Sequence, residues 1–283
     1  MRISVGDCRL FVDVEGVGLV PDGPTMRERP TMIVLHGGPG LDHTSFKPAF
    51  GALADVAQLI YVDHRGQGRS DRSDPDHWNF AQWADDVAAL SDALGLAAPI
   101  VYGVSFGSMV ALHLAIRHPG RAAKVILDST SAVPDVDAIV EVFERLGGAD
   151  VAEVARTFWT DGDGASFLAY LTTCMPLYNR RPQAEGDLVS ARSMEHANFA
   201  LFQHWLAGEQ RTMDLRPDLD RIVDPVLLLA GEDDPVTPLR GAHLVADALG
   251  ARCTFETFAD CGHGVWRDQP DAAFAAIRRF ISC

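Results

Sequence analysis

Cysteine is scarce in this 283-residue chain, and none of the five (Cys8, Cys174, Cys253, Cys261, Cys283) falls in a C-x-x-C pair. An odd, scattered set argues against a disulfide framework and suits a reducing compartment. No apolar run approaches the roughly 20 residues that a membrane-spanning helix needs. The opening stretch, Met1-Arg2-Ile3-Ser4-Val5-Gly6-Asp7, lacks the apolar core of a secretory signal. A cytoplasmic protein with no membrane partner is therefore expected. Positive charge is short as well: 24 Lys and Arg face 39 Asp and Glu, a formal net charge of −15. Such a surface repels phosphates, which argues against a nucleic-acid partner. With no HExxH, no paired CxxC and no P-loop, no metal or other cofactor is expected. What remains as partner is a small-molecule or small-peptide substrate; the sequence leaves the oligomeric state open.

What the chain does contain is apolar material, 47% of its residues, enough to bury a large core. Residues 10–15 alternate like a strand, and a turn-rich stretch, 16–30, follows. Short continuous apolar runs then recur: Met32-Ile33-Val34-Leu35, Leu59-Ile60-Tyr61-Val62, Ile100-Val101-Tyr102, Val125-Ile126-Leu127 and Val226-Leu227-Leu228-Leu229-Ala230. Runs of this length, bounded by glycine-rich turns, suit strands buried on both faces. Residues 80–94, 106–117 and 270–281 carry helical spacing between and after them. Strands alternating with helices predict an α/β fold with a mostly parallel sheet covered on both sides. The alternation breaks over residues 131–220, a mostly helical stretch rich in aromatics, including Phe143, Phe158, Trp159, Phe167, Tyr170, Tyr178, Phe199, Phe202 and Trp205. The expected organisation is a core of residues 1–130 and 221–283, with 131–220 inserted as a helical cap.

Four segments carry chemistry. Gly103-Val104-Ser105-Phe106-Gly107 is a G-x-S-x-G pattern, common by chance, but here it follows a strand-like run and opens a helical one. A tight turn there would project the Ser105 hydroxyl, the nucleophile, beside the free N–H groups of a helix start. The bland alternative is a glycine-rich turn whose serine merely caps the helix. His36-Gly37-Gly38-Pro39-Gly40 follows an earlier strand, and its glycines allow close backbone approach. The N–H groups of Gly38 and Phe106 are the expected oxyanion donors, and His36 is read as structural. Gly231-Glu232-Asp233-Asp234-Pro235 places competing acids after a late strand; Asp234 is the expected triad acid and Asp233 the runner-up. Cys261-Gly262-His263-Gly264-Val265-Trp266 puts His263 on a loop as general base. The order Ser105, Asp234, His263 is that of an α/β-hydrolase triad.

Together these motifs resemble the α/β-hydrolase superfamily over essentially the whole chain. More narrowly, His36-Gly37-Gly38-Pro39-Gly40, Asp63-His64-Arg65-Gly66-Gln67-Gly68-Arg69-Ser70 and Gly103-Val104-Ser105-Phe106-Gly107-Ser108 look like the proline iminopeptidase branch of serine peptidases. That resemblance implies a helical cap over a parallel sheet and an acyl-enzyme mechanism. It also implies an acidic cap residue to hold a substrate's free amine, for which Glu195 is the candidate. Gly37 and Trp266 are further candidate substrate contacts. The chain departs from the branch in having Pro235 where some members carry a second glutamate. The leading expectation is a proline iminopeptidase-like aminopeptidase on small peptides or aminoacyl amides, and the alternative is a carboxylesterase or lactonase on small uncharged acyl substrates. A non-catalytic ligand receptor on the same fold is the third possibility.

Overall fold

The computed structural model describes residues 1–162, 164–181 and 191–282. Its centre is an eight-stranded sheet built from β1 (Arg2–Val5), β2 (Cys8–Glu15), β5 (Thr31–Leu35), β6 (Gln58–Val62), β7 (Ile100–Val104), β8 (Lys124–Asp128), β9 (Val226–Gly231) and β10 (Cys253–Phe258). The spatial order is β1-β2-β6-β5-β7-β8-β9-β10, with β1 and β2 antiparallel and every pairing from β6 to β10 parallel. The inner strands are buried on both faces, which is why they read as unbroken apolar runs. Their side chains still alternate between two cores. Ile33, Leu35 and Val101 join one core; Met32, Val34 and Tyr102 join the other.

Helices α1 (Phe80–Ala93) and α2 (Phe106–Arg117) pack on the first core. Asn79 caps α1 by accepting the Gln82 N–H. Between β8 and β9 the chain runs through α3 (Val136–Gly147), α4 (Ala149–Thr160), α5 (Gly164–Thr173) and α6 (Phe199–Ala207). Most aromatics of this segment hold it together: Phe158 stacks on Tyr170 at 4.1 Å, and Phe143 and Tyr170 are buried. α7 (Leu239–Leu249) follows β9, and α8 (Pro270–Ser282) closes the chain with Phe274 and Ile277 on the second core. No helix among the described residues is long and apolar enough to cross a membrane.

Two elements were not expected. The turn-rich stretch holds a hairpin of β3 (Leu19–Asp22) and β4 (Thr25–Glu28), exposed along nearly its whole length, and β1 pairs at the sheet edge. Neither buries a full face, so neither leaves a strong hydrophobic pattern.

The strand order reverses around β5. The chain passes from β5 to β6 on one side and then crosses back to β7 on the other. The loops after β5 and β7 therefore leave the same sheet edge in opposite directions, which opens a crevice at the carboxyl ends of the strands.

Candidate active site

That crevice is flanked by the two glycine-rich motifs. Ser105 follows β7 with φ +54° and ψ −121°, a conformation that costs a non-glycine residue energy and persists only where the surroundings enforce it. Enforcement comes from close backbone packing: a Cβ on Gly103 would meet the Gly107 carbonyl, and one on Gly107 the Leu35 carbonyl. The Ser105 side chain does not cap α2 and makes no hydrogen bond among the described residues. Ser105 lines a cavity instead. The helix-capping alternative is thereby removed.

On the other rim, His263 Nδ1 lies 2.9 and 3.0 Å from the two Asp234 oxygens. The Asp234 carboxylate also accepts the Val236 N–H (2.8 Å), the Thr237 N–H (2.9 Å) and the Thr237 hydroxyl (2.7 Å). Burial pushes its carboxyl up, but the His263 charge and the Thr237 donors outweigh burial and hold it below the usual carboxylate range. Asp233, the runner-up, is turned away and paired with Arg145 and Arg180. With Nδ1 facing the carboxylate, Nε2 is the ring nitrogen left for a nucleophile. No hydrogen bond joins it to Ser105; hydroxyl–imidazole contacts of this kind are commonly loose before substrate arrives and tighten with it.

The tip of β8 ties the two rims together. The Asp128 carbonyl accepts the Ser105 N–H at 2.9 Å. The Asp128 carboxylate accepts the Val265 N–H and the Tyr102 hydroxyl, each at 2.9 Å. Ser129 Oγ accepts the Gly264 N–H at 2.8 Å. Two fully buried residues thus grip the Ser105 backbone and the two peptides after His263. Helical-segment residues add a second hold: the Tyr178 carbonyl accepts the His263 N–H (2.7 Å), and Asn179 donates to the His263 carbonyl (2.9 Å).

Gly37 lies beside Ser105; a Cβ on it would fall 3.1 Å from that of Ser105. The N–H groups of Gly38 and Phe106 have no protein acceptor among the described residues. The loop is braced from below. Gln67 Oε1 accepts the Gly40 N–H at 2.6 Å, and Asp63 binds His43 and the Arg69 N–H. His36 is fully buried against His64, and burial drives both rings toward the neutral form, so both belong to the scaffold.

The cavity and the open solvent at its mouth together span about 550 Å³. Its lining includes Pro39, Ser105, Phe106 and Met109 from the core, with Ile139, Trp159, Trp205, Gln210 and Met213 from the segment between β8 and β9. None of the three expected substrate contacts is in the lining: Gly37 packs against Ser105 and Val104, and the other two lie farther off. Trp266 is not in the lining; it packs in the second core against Phe46 and Phe50, on the other sheet face, because the single turn Val265–Asp268 rotates it there. Glu195 has a side chain 64% exposed and sits 3.9 Å from Arg69, outside the cavity.

The sequence profile of the α/β hydrolase fold matches residues 30–266. The chain belongs to the α/β-hydrolase family. Among its relatives is a putative carbamate hydrolase, RutD, of Caulobacter sp. (strain K31), 27% identical over 95% of this chain and 97% of that protein. Another is proline iminopeptidase PfmaB of Pestalotiopsis fici, 25% identical over 96% of this chain and 98% of the other. The crystal structure of a Mycobacterium smegmatis proline iminopeptidase superposes with a TM-score of 0.78 at 23% identity, covering 100% of this chain and 97% of that one. This α/β hydrolase therefore resembles the proline iminopeptidase branch, as its motifs lead one to expect. Asp128, Ser129, Thr237 and Gln210 are the site residues that sequence reading passed over. None stands in a motif, and their positions follow from contacts distant in sequence.

Proposed function

We propose that this hydrolase is a serine esterase or lactonase acting on small neutral acyl substrates through an acyl-enzyme on Ser105. In this reading Ser105 Oγ attacks the acyl carbon and its proton passes to His263 Nε2. The oxyanion is held by the Gly38 and Phe106 N–H groups, and Asp234 steadies the imidazolium. The proton then goes to the departing alkoxide. Water repeats the sequence and releases the acid.

One observation carries the substrate half of the proposal. Among the described residues the cavity has a single lining carboxylate, Asp135, and it is spent: it caps α3 through the Ala138 N–H and makes a two-pronged pair with Arg240. A substrate ammonium entering an apolar cavity needs a free carboxylate. An ester or lactone needs none. Likeness to two proline iminopeptidases favours a second reading, an aminopeptidase.

Parallel kinetics on a short acyl ester, an aminoacyl amide with a free amine and its N-acetyl form separate the two, with Ser105→Ala as control. The ester is expected to have the highest kcat/KM, with acetylation of the amide of little consequence. Faster turnover of the free-amine amide, lost on acetylation, would give the site to a peptidase.

A further inference from the structure

The cavity that takes in Ser105 also holds two polar groups that the fold leaves unanswered. Gln210, in the single turn Glu209–Thr212, is 8% exposed and lines the cavity, yet its carboxamide makes no hydrogen bond among the described residues. Trp205, near the end of α6, is 5% exposed and lines the same cavity; its Nε1–H is buried and has no partner among the described residues. Buried polar groups nearly always have partners, so the Trp205 N–H calls for an explanation, and the Gln210 carboxamide on the same cavity is the polar group left open to a ligand. Other polar side chains of the lining are already engaged. Ser131 Oγ donates to the Val133 carbonyl at 2.6 Å, Thr237 donates to Asp234, and Asp135 is paired with Arg240. The surrounding wall is apolar: Met109, Ala138, Ile139, Trp159, Met213 and Val236.

We propose that Gln210 and Trp205 form a subsite for a second, neutral carbonyl oxygen carried on the substrate's acyl chain, beyond the carbonyl that Ser105 attacks. This rests on the serine-esterase reading and narrows its substrate class to acyl esters or lactones bearing a ketone or amide. The chemistry of the pair selects an acceptor. An indole N–H can only donate, and the carboxamide NH₂ donates as well. A plain alkyl chain leaves both unpaired, and discrimination by unpaired site groups is larger than discrimination by a methylene. A carboxylate would also accept, but Arg240 is spent on Asp135 and the chain carries a net charge of −15, so a neutral oxygen fits better.

The test uses 4-nitrophenyl hexanoate and its oxo derivatives, the ketone moved carbon by carbon along the chain. The readout is the ratio of kcat/KM for each oxo ester to that of the plain one. Wild type is expected to favour one oxo position by a factor of about ten or more. Gln210→Leu should bring that ratio close to one, and Trp205→Phe, which keeps the ring and deletes the N–H, should lower it. Should Gln210→Leu not fold, Trp205→Phe decides alone. A wild type that shows no oxo preference, or a preference untouched by the variants, overturns the subsite. Labelling by a fluorophosphonate separates the two levels. A labelled wild type without oxo preference sinks the subsite alone, whereas an unlabelled one sinks the esterase reading and the subsite with it.

Discussion

At the scale of single residues, Ser105 combines a costly backbone conformation with a hydroxyl that no group among the described residues uses. Strain of that kind is retained where it serves a purpose. Ser105→Ala and His263→Ala are each expected to lower kcat by several orders of magnitude with the folded circular dichroism spectrum kept, since a triad acts as a unit. Asp234→Asn keeps the shape but favours the wrong imidazole tautomer, and about a 10⁴-fold loss in kcat is expected. The same substitution carries a stability signature. The Asp234 carboxyl titrates lower in the folded protein than in the unfolded chain. The stability this confers is complete above the unfolded value, about 3.9, and fades as pH falls through the lower folded one. Urea unfolding across pH should therefore show Asp234→Asn losing stability at neutral pH and losing less on acidification than wild type. Ser105 and His263 were legible because glycine-flanked motifs mark them. Asp234 was preferred to Asp233 from its place just before Pro235; the structure turns Asp234 onto His263 and Asp233 onto Arg145 and Arg180. Trp266 misled because proximity in sequence to a motif says nothing about which face a turn presents; Glu195 came from the branch's acidic cap residues, and here its side chain lies outside the cavity.

Among elements, the inner strands and helices α1, α2 and α8 were readable from periodicity, because each buries a defined face. The β3–β4 hairpin and β1 were not, because exposed edge elements need no apolar stripe. The tip of β8 was invisible for another reason. Asp128 and Ser129 act through hydrogen bonds to residues 105, 264 and 265, and no local pattern announces them. Ser129 also holds φ +54°, so the turn is built rather than loose. Loss of the Ser129 hydroxyl frees the Gly264 N–H and lets the histidine loop drift. Ser129→Ala is expected to lower kcat by about 10²-fold, the cost of a misplacement on the order of 1 Å, while KM changes little. Equal losses in kcat and thermal stability, with KM rising, would point to general loosening instead.

For the whole molecule, the reversal of strand order at β5 sets the site, bringing residues 36–40 beside residues 103–107 and leaving the β8–β9 segment to roof the crevice. That order could not be read from the sequence, which gives the strands one after another but not which lie side by side. Relatives that share the architecture carry different named activities, so the fold alone does not choose a substrate; the subsite proposed here stands in the roof, where Gln210 and Trp205 line the cavity. Reaction with a fluorophosphonate, followed by mass spectrometry of the intact protein and its peptides, tests the Ser105 nucleophile most directly. A single adduct on the peptide carrying Ser105, slowed in His263→Ala and absent in Ser105→Ala, is the expected result. An unlabelled wild type, or an adduct on Ser129 or Ser131 that persists in Ser105→Ala, would contradict it.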